Sequence, residues 1–338
     1  MLIFGSARSS VDFDSPGKRT GMITLEHSDN QFAFSSVCVP VGVICGGPGP
    51  TVLLTAGSHG DEYEGQVILH HLMQMFEPEN LSGRLILLPA LNAPAVRDRS
   101  RVSPLDQGNM NRSFPGSAGA GPTGTIAGFV DAHLIPRADV VVDFHSGGTA
   151  TQYVDCCFLC LGSDAVLNQA NLEMAKVFGA PFTMVCPING TGGDFDTAAY
   201  HQQTRFLACE LGGLGRFSKR SFEIGLQATL RLLAYLGLIA DQTDAQPTRF
   251  IDIGDRSVHV TARHHGLAQF HVRLGDVVTK GVHLATVYDL HNFGIIQDEL
   301  YSDRDGIVAI KRRNPVVDPG DHLCLVAPEI PAGDVLGS

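Results

Sequence analysis

The chain has 338 residues, 44% of them hydrophobic, and a formal net charge of −11. That length supports one large domain with a sizeable core and a smaller one beside it. The acidic balance argues against nucleic acid or an anionic membrane surface as partner, although a few local arginines still permit an anionic substrate. The N-terminus lacks a basic region followed by an apolar core, so no secretory signal is expected. No apolar run reaches the ~18 residues that would span a bilayer. Eight cysteines are present, mostly inside apolar strand-like runs, as free buried thiols are. Cys157 and Cys160 form a CxxC with no second pair, so neither a zinc ribbon nor a disulfide framework is indicated. A reducing cytoplasm is the expected location.

In chain order, residues 1–30 read as an irregular polar lead-in with a strand, and 31–44 as a strand or hairpin. GGPGP at 46–50 is a sharp turn. Residues 51–56 form a short apolar, β-branched run ending at Gly57, which predicts a buried strand entering a loop. The loop carries Ser58, His59, Gly60, Asp61 and Glu62, and the 3.6-residue period of QVILHHLMQMF then predicts a helix. An imidazole and a carboxylate three apart, in a Gly-flanked loop at a strand end, can converge on one ion. Residues 84–89 give the next strand.

Residues 91–117 are long, polar and turn-rich, and read as a functional loop. They hold Arg97, Arg99, Arg101 and Arg112 beside Asn92, Asn109 and Asn111, a set suited to gripping a carboxylate. A helix is predicted over 123–135. The apolar strand 139–144 follows, with His145 at its end in the same kind of position as His59. Two such strands ending on one sheet edge would join His59, Glu62 and His145 into a His₂Glu set with an open fourth position, a catalytic zinc arrangement. The competing reading makes His59 and Glu62 a helix cap and its partner, and His145 a buried histidine bonded to backbone.

Further on, 153–161 is a predicted strand, 165–178 a helix and 182–186 a strand. NGTGGD at 189–194 lacks the Lys-Ser/Thr of a phosphate loop, so nucleotide binding is not indicated. The strand 204–211 runs through Glu210 into two glycines. A carboxylate in so half-dry a place is a candidate general base, or else a helix cap or salt-bridge partner. Residues 221–238 form a long amphipathic helix and 241–247 a polar linker. Strands alternating with helices indicate an α/β layered domain over 1–245 with a mixed sheet.

From 246 to 338 only short β runs remain, starting with RFIDIG, with turn residues every 8–12 positions. LGDVVTKGVHLATVYD, DGIVAI and PGDHLCLV resemble the folded-over barrel of lipoyl and biotinyl carrier domains. The hairpin stretch DLHNFG has no lysine to modify, so a packing or lid element is expected. The histidines of this module, His264 and His265 among them, have no ligand spacing.

Taken together, GSHGDEYEG, NMNRSFPG, DFHSGG and CELGG resemble the succinylglutamate desuccinylase/aspartoacylase family, a branch of the zinc-carboxypeptidase fold. The motifs run from about residue 45 to about 235, and the β pattern extends the likeness to the C-terminal module. The wording RVSPLDQGNMNRSFPG resembles the bacterial branch that deacetylates Nα-acetyl-2,4-diaminobutyrate in ectoine breakdown. The resemblance implies one Zn²⁺ per chain held by His59, Glu62 and His145. It implies Glu210 as the carboxylate that activates the attacking water, and Arg101, with Arg99 as rival, as the residue that polarises the scissile carbonyl. Asn111 and Arg112 are implied to hold the substrate carboxylate. Asn109 stands where relatives in the carboxypeptidase branch often carry an aspartate that orients a zinc histidine, which leaves that histidine's orienting partner open.

The expected activity is hydrolysis of a small N-acyl amino acid. The alternatives are a carboxypeptidase acting on peptides and a non-catalytic carrier or binding protein. The oligomeric state is open, a homo-oligomer included.

Overall fold

The computed structural model describes residues 1–28, 33–188, 193–240 and 246–337. In chain order the elements are β1 (Leu2–Phe4), β2 (Ala7–Ser9), β3 (Gly17–His27), β4 (Ser35–Cys45), β5 (Thr51–Ala56), α1 (Glu64–Met75), β6 (Arg84–Leu88), α2 (Ala93–Asp98), α3 (Gly121–His133), β7 (Val140–His145), β8 (Thr151–Tyr153), β9 (Cys156–Leu161), α4 (Ala165–Phe178), β10 (Phe182–Pro187), α5 (Phe195–His201), β11 (Arg205–Glu210) and α6 (Lys219–Tyr235). The remainder is β12 (Arg249–Asp252), β13 (Val258–Thr261), β14 (Gly266–Phe270), β15 (Val277–Val278), β16 (His283–Tyr288), β17 (Ile296–Tyr301), β18 (Gly306–Arg312), β19 (Val316–Val317), β20 (His322–Ala327) and β21 (Glu329–Ile330). Among the described residues no helix is long and apolar enough to cross a membrane.

Among the described residues the largest sheet has twelve strands, ordered β1-β2-β3-β4-β6-β5-β7-β11-β9-β10-β12-β21. Its heart is parallel, since β6, β5, β7 and β11 run the same way. Antiparallel pairs at β4–β6 and β11–β9 make the whole sheet mixed. Every residue of β5 and of β7 is buried, because helices cover both faces, as expected of near-continuous apolar strands. Val52, Leu54, Val142 and Phe144 pack with α1, α4 and α6 on one face. Leu53, Val141 and Phe206 pack with α3 and α5 on the other.

Helix boundaries follow local chemistry. Asp164 accepts hydrogen bonds from the Val166 and Leu167 amides, and Gly179 closes α4 in the left-handed region, so α4 begins and ends where the sequence places it. The N-terminal segment is more regular than an irregular lead-in with one strand: residues 1–30 contain the short strands β1 and β2 and then β3, the first arm of the long β3–β4 hairpin. The segment 91–117 is not structureless either, for it holds α2 and a 3-10 turn at Met110–Arg112. The strand predicted over 153–161 begins later, as β9 in the large sheet, and Tyr153 ends a separate short strand, β8, that pairs with β18.

Beyond α6 the described residues form strands, as the turn spacing suggested, and close on a 3-10 turn at Val335–Gly337. Among the described residues two sheets, β13-β20-β18-β15 with β8 and β17-β16-β14-β19, enclose Leu284, Val308, Leu323 and Val326. β12, read from the sequence as the module's first strand, instead extends the large sheet beside β10, and β21 returns to pair with it. Sheet pairing therefore crosses position 246. The first two residues of the strand predicted over 31–44 (otherwise β4), the first four residues of the NGTGGD loop and most of the linker at 241–247 lie outside the described residues.

Candidate metal centre

Strand order creates the site. β5, β7 and β11 are parallel neighbours, so their C-terminal ends share one edge. Ala56 lies opposite Phe144, and His145 lies opposite Glu210. The loop after β5 folds over this edge because Gly60 lets it approach α2. A Cβ there would stand 1.9 Å from the Ala95 carbonyl oxygen. The Gly60 amide donates to the Ser100 carbonyl at 2.8 Å.

His59, Glu62 and His145 are all buried, and one ligand atom from each lies within 4.8 Å of the others. His59 Nδ1 is 2.8 Å from Glu62 Oε1, and His145 Nδ1 is 3.0 Å from Glu62 Oε2. Both imidazoles thus turn Nδ1 toward one point. α1 has no side-chain cap, and the His145 ring meets carboxylates rather than backbone. The cap and buried-histidine readings do not describe this arrangement.

The outer ring nitrogens are engaged as well. His145 Nε2 is 2.6 Å from Asp143 Oδ2, and His59 Nε2 is 3.1 Å from Asn109 Oδ1. An Nε2–H donating to each oxygen leaves the Nδ1 lone pair free for an ion. Asn109 is therefore the partner of His59 that the sequence left open. Asp143 escaped the sequence reading, although residues two apart on a strand share a face and D-F-H announces the pair. Asp143 is itself fixed by Thr55 Oγ1, which donates to Oδ1 at 2.6 Å. The donor set, two imidazoles and a carboxylate with outer partners in place, fits a tetrahedral Zn²⁺ with one position left for water.

Burial alone would raise the Glu62 pKa, but the His145 and His59 imidazoles outweigh it and hold the carboxyl well below its usual range. Burial would lower that of His145, and the Asp143 and Glu62 carboxylates reverse this and raise it. Glu210 is pushed up to about 8, first by burial and then by the charge of Glu62. Its Oε2 is buried with no hydrogen-bond partner among the described residues.

Arg101 brings its guanidinium 3.4 Å from His59 Nδ1 and 3.7 Å from Glu62 Oε1. Arg99 instead ends α2 in the left-handed region at φ 60°, and no described contact links its guanidinium to the ligands. The Tyr153 hydroxyl, also missed from the sequence, is pushed up by burial and by the nearby Glu210 charge. Asn111 and Arg112 sit one 3-10 turn beyond Asn109. Asn111 Oδ1 accepts from the Phe195 amide at 2.9 Å, leaving its NH₂ for a ligand. Arg112 pairs with Asp194.

The sequence profile of the "Succinylglutamate desuccinylase/Aspartoacylase catalytic domain" matches residues 48–236. The chain is 37% identical over 321 residues to the N-alpha-acetyl-L-2,4-diaminobutyric acid deacetylase of Halomonas elongata, covering 94% of each protein. It superposes on a succinylglutamate desuccinylase from a Silicibacter species with TM-score 0.93 at 31% identity, covering 97% of this chain and 100% of the other. The product-bound ectoine utilization protein EutE (DoeB) of Ruegeria pomeroyi gives TM-score 0.92 at 34% identity, covering 96% and 99%.

Proposed function

The chain belongs to the succinylglutamate desuccinylase/aspartoacylase family and is a hydrolase of that family, and from that premise we propose that it is a zinc-dependent deacylase of small N-acyl amino acids whose substrate is Nα-acetyl-L-2,4-diaminobutyrate. The observation that carries this is the meeting of His59, Glu62 and His145 with Glu210 and Arg101 at one sheet edge. The choice of substrate is supported by likeness to the Halomonas deacetylase along nearly the whole of both chains.

His59 Nδ1, a Glu62 oxygen and His145 Nδ1 would hold the zinc. Bound there, it supplies Lewis acidity that makes a water acidic near neutral pH and polarises an acyl carbonyl. Glu210 accepts the proton of the attacking water and returns it to the leaving nitrogen. Arg101 donates to the oxyanion as the acyl carbon becomes tetrahedral, the kind of contact worth about 3–4 kcal/mol. Asn111 and Arg112 bind the α-carboxylate, which aligns the amide with Glu210. The products are a free amino acid and a small carboxylic acid.

In this reading residues 1–245 carry the chemistry and 246–338 form a cap built as a lipoyl/biotinyl-like double sheet. β18 supports it by holding β8, six residues past His145, through pairs such as Ile310 with Tyr153. Eight cysteines without a disulfide suit a reducing cytoplasm. The test is a panel of N-acetyl, N-succinyl and N-formyl amino acids, acetyl-diaminobutyrate among them, given to the zinc-loaded protein. Turnover should centre on the acetyl-diamino acid, and inertness toward the whole panel refutes the assignment.

A further inference from the structure

The segment that carries Asn111 and Arg112 is locked onto the start of α5. The Phe114 amide donates to the Gly193 carbonyl at 3.0 Å, the Phe195 amide donates to Asn111 Oδ1, and the Phe114 and Phe195 rings stack with centroids 4.3 Å apart. Within this frame the Arg112 guanidinium faces the Asp194 carboxylate. The Asp194 side chain is only 16% exposed, whereas that of Arg112 is 61% exposed. The cation is thus open to solvent while its anion is largely shielded from it, and Asp196 adds a second negative charge nearby.

This geometry has a charge requirement. A ligand bringing only a carboxylate draws the guanidinium away from Asp194 and leaves that anion half-desolvated without a partner, which is unfavourable. A ligand with a second carboxylate adds like-charge repulsion. A ligand bearing both a carboxylate and an ammonium exchanges pair for pair, its carboxylate on Arg112 and its ammonium on Asp194. In a 2,4-diamino acid the two charges are separated by three carbons, short enough to meet a neighbouring guanidinium and carboxylate together.

Resting on the deacylase reading above, we propose that Asp194 binds the side-chain ammonium of the substrate and so selects N-acyl amino acids with a short cationic side chain over neutral and acidic ones. Asp194 is in this sense a specificity residue, distinct from the groups that perform the hydrolysis.

The test compares kcat/KM for Nα-acetyl-L-2,4-diaminobutyrate and Nα-acetyl-L-2-aminobutyrate, which lacks the ammonium, in the natural protein and in Asp194→Asn. The natural protein should prefer the cationic substrate, and the variant should shrink that ratio roughly 10- to 100-fold. A residue that merely positions Arg112 would depress both substrates together, so an unchanged ratio overturns the proposal. Should the variant be insoluble, inhibition of the natural protein by free 2,4-diaminobutyrate and by 2-aminobutyrate replaces it. The diamino acid should bind at least about tenfold more tightly, and equal inhibition constants overturn the proposal. Hydrolysis of both substrates with equal efficiency removes the role of Asp194 alone, whereas hydrolysis of neither removes the deacylase reading with it.

Discussion

Asp143 Oδ2 stands 2.6 Å from His145 Nε2, two residues along the same buried strand. The carboxylate fixes the imidazole so that Nδ1 is offered to an ion, and Thr55 holds the carboxylate in turn. Partners of this kind are worth about 10- to 100-fold in metal affinity. Asp143→Asn should therefore lose zinc at chelator concentrations the natural protein withstands, with its circular dichroism preserved. Equal zinc retention in a chelator competition would show the contact to be incidental. His145→Ala should lose the ion outright, by elemental analysis.

Asn109 gives the mirror experiment. A neutral amide now meets His59 Nε2 at 3.1 Å. Asn109→Asp should make the imidazole more basic and tighten zinc, while Asn109→Leu should weaken it roughly tenfold or more. The ordering Asp, Asn, Leu in a chelator titration is the expected result.

Glu210 and Arg101 should fail differently from the ligands. Glu210→Gln should retain zinc and lower kcat by about 10²–10⁴-fold, the range for a positioned acid–base group. Arg101→Ala should lower kcat by about 10²–10³-fold with the ion in place. Arg112→Ala should act chiefly on KM. Stopped-assay kinetics paired with zinc content on the same samples separates the three.

Glu64 supplies a pH test of stability. Burial pushes its carboxyl up from 4.5 to about 7, against a hydrogen bond donated by the Ser218 amide. Between those values the folded chain keeps a proton that the unfolded chain has lost. Stability attributable to Glu64 is thus greatest in acid, falls as pH rises toward 7 and stays low above it, by on the order of 3 kcal/mol. Glu64→Gln keeps an acceptor for Ser218 and cannot ionise. Its Tm should exceed that of the natural protein at pH 8 and match it at pH 5, at fixed zinc concentration. An equal difference at both pH values would assign the effect to packing.

Much of this was legible in local sequence. TVLLTA and VVVDFH are apolar runs that only a doubly covered strand can bury, and α4 carries its own cap and stop. α5 was not legible: seven residues after a glycine loop are too few to show a period. The path of β8 was equally hidden, since its partner lies about 160 residues downstream in β18.

Which side chains stand at strand ends follows from local sequence, because hydrophobic period and turn chemistry act over a handful of residues. It took the packed fold to make β5, β7 and β11 parallel neighbours, to bring Asn109 to His59 and to pair Asp194 with Arg112. Those juxtapositions join segments 50 and 82 residues apart. They depend on which faces pack and which loops close, free energies that belong to the whole chain and are written in no single stretch of it.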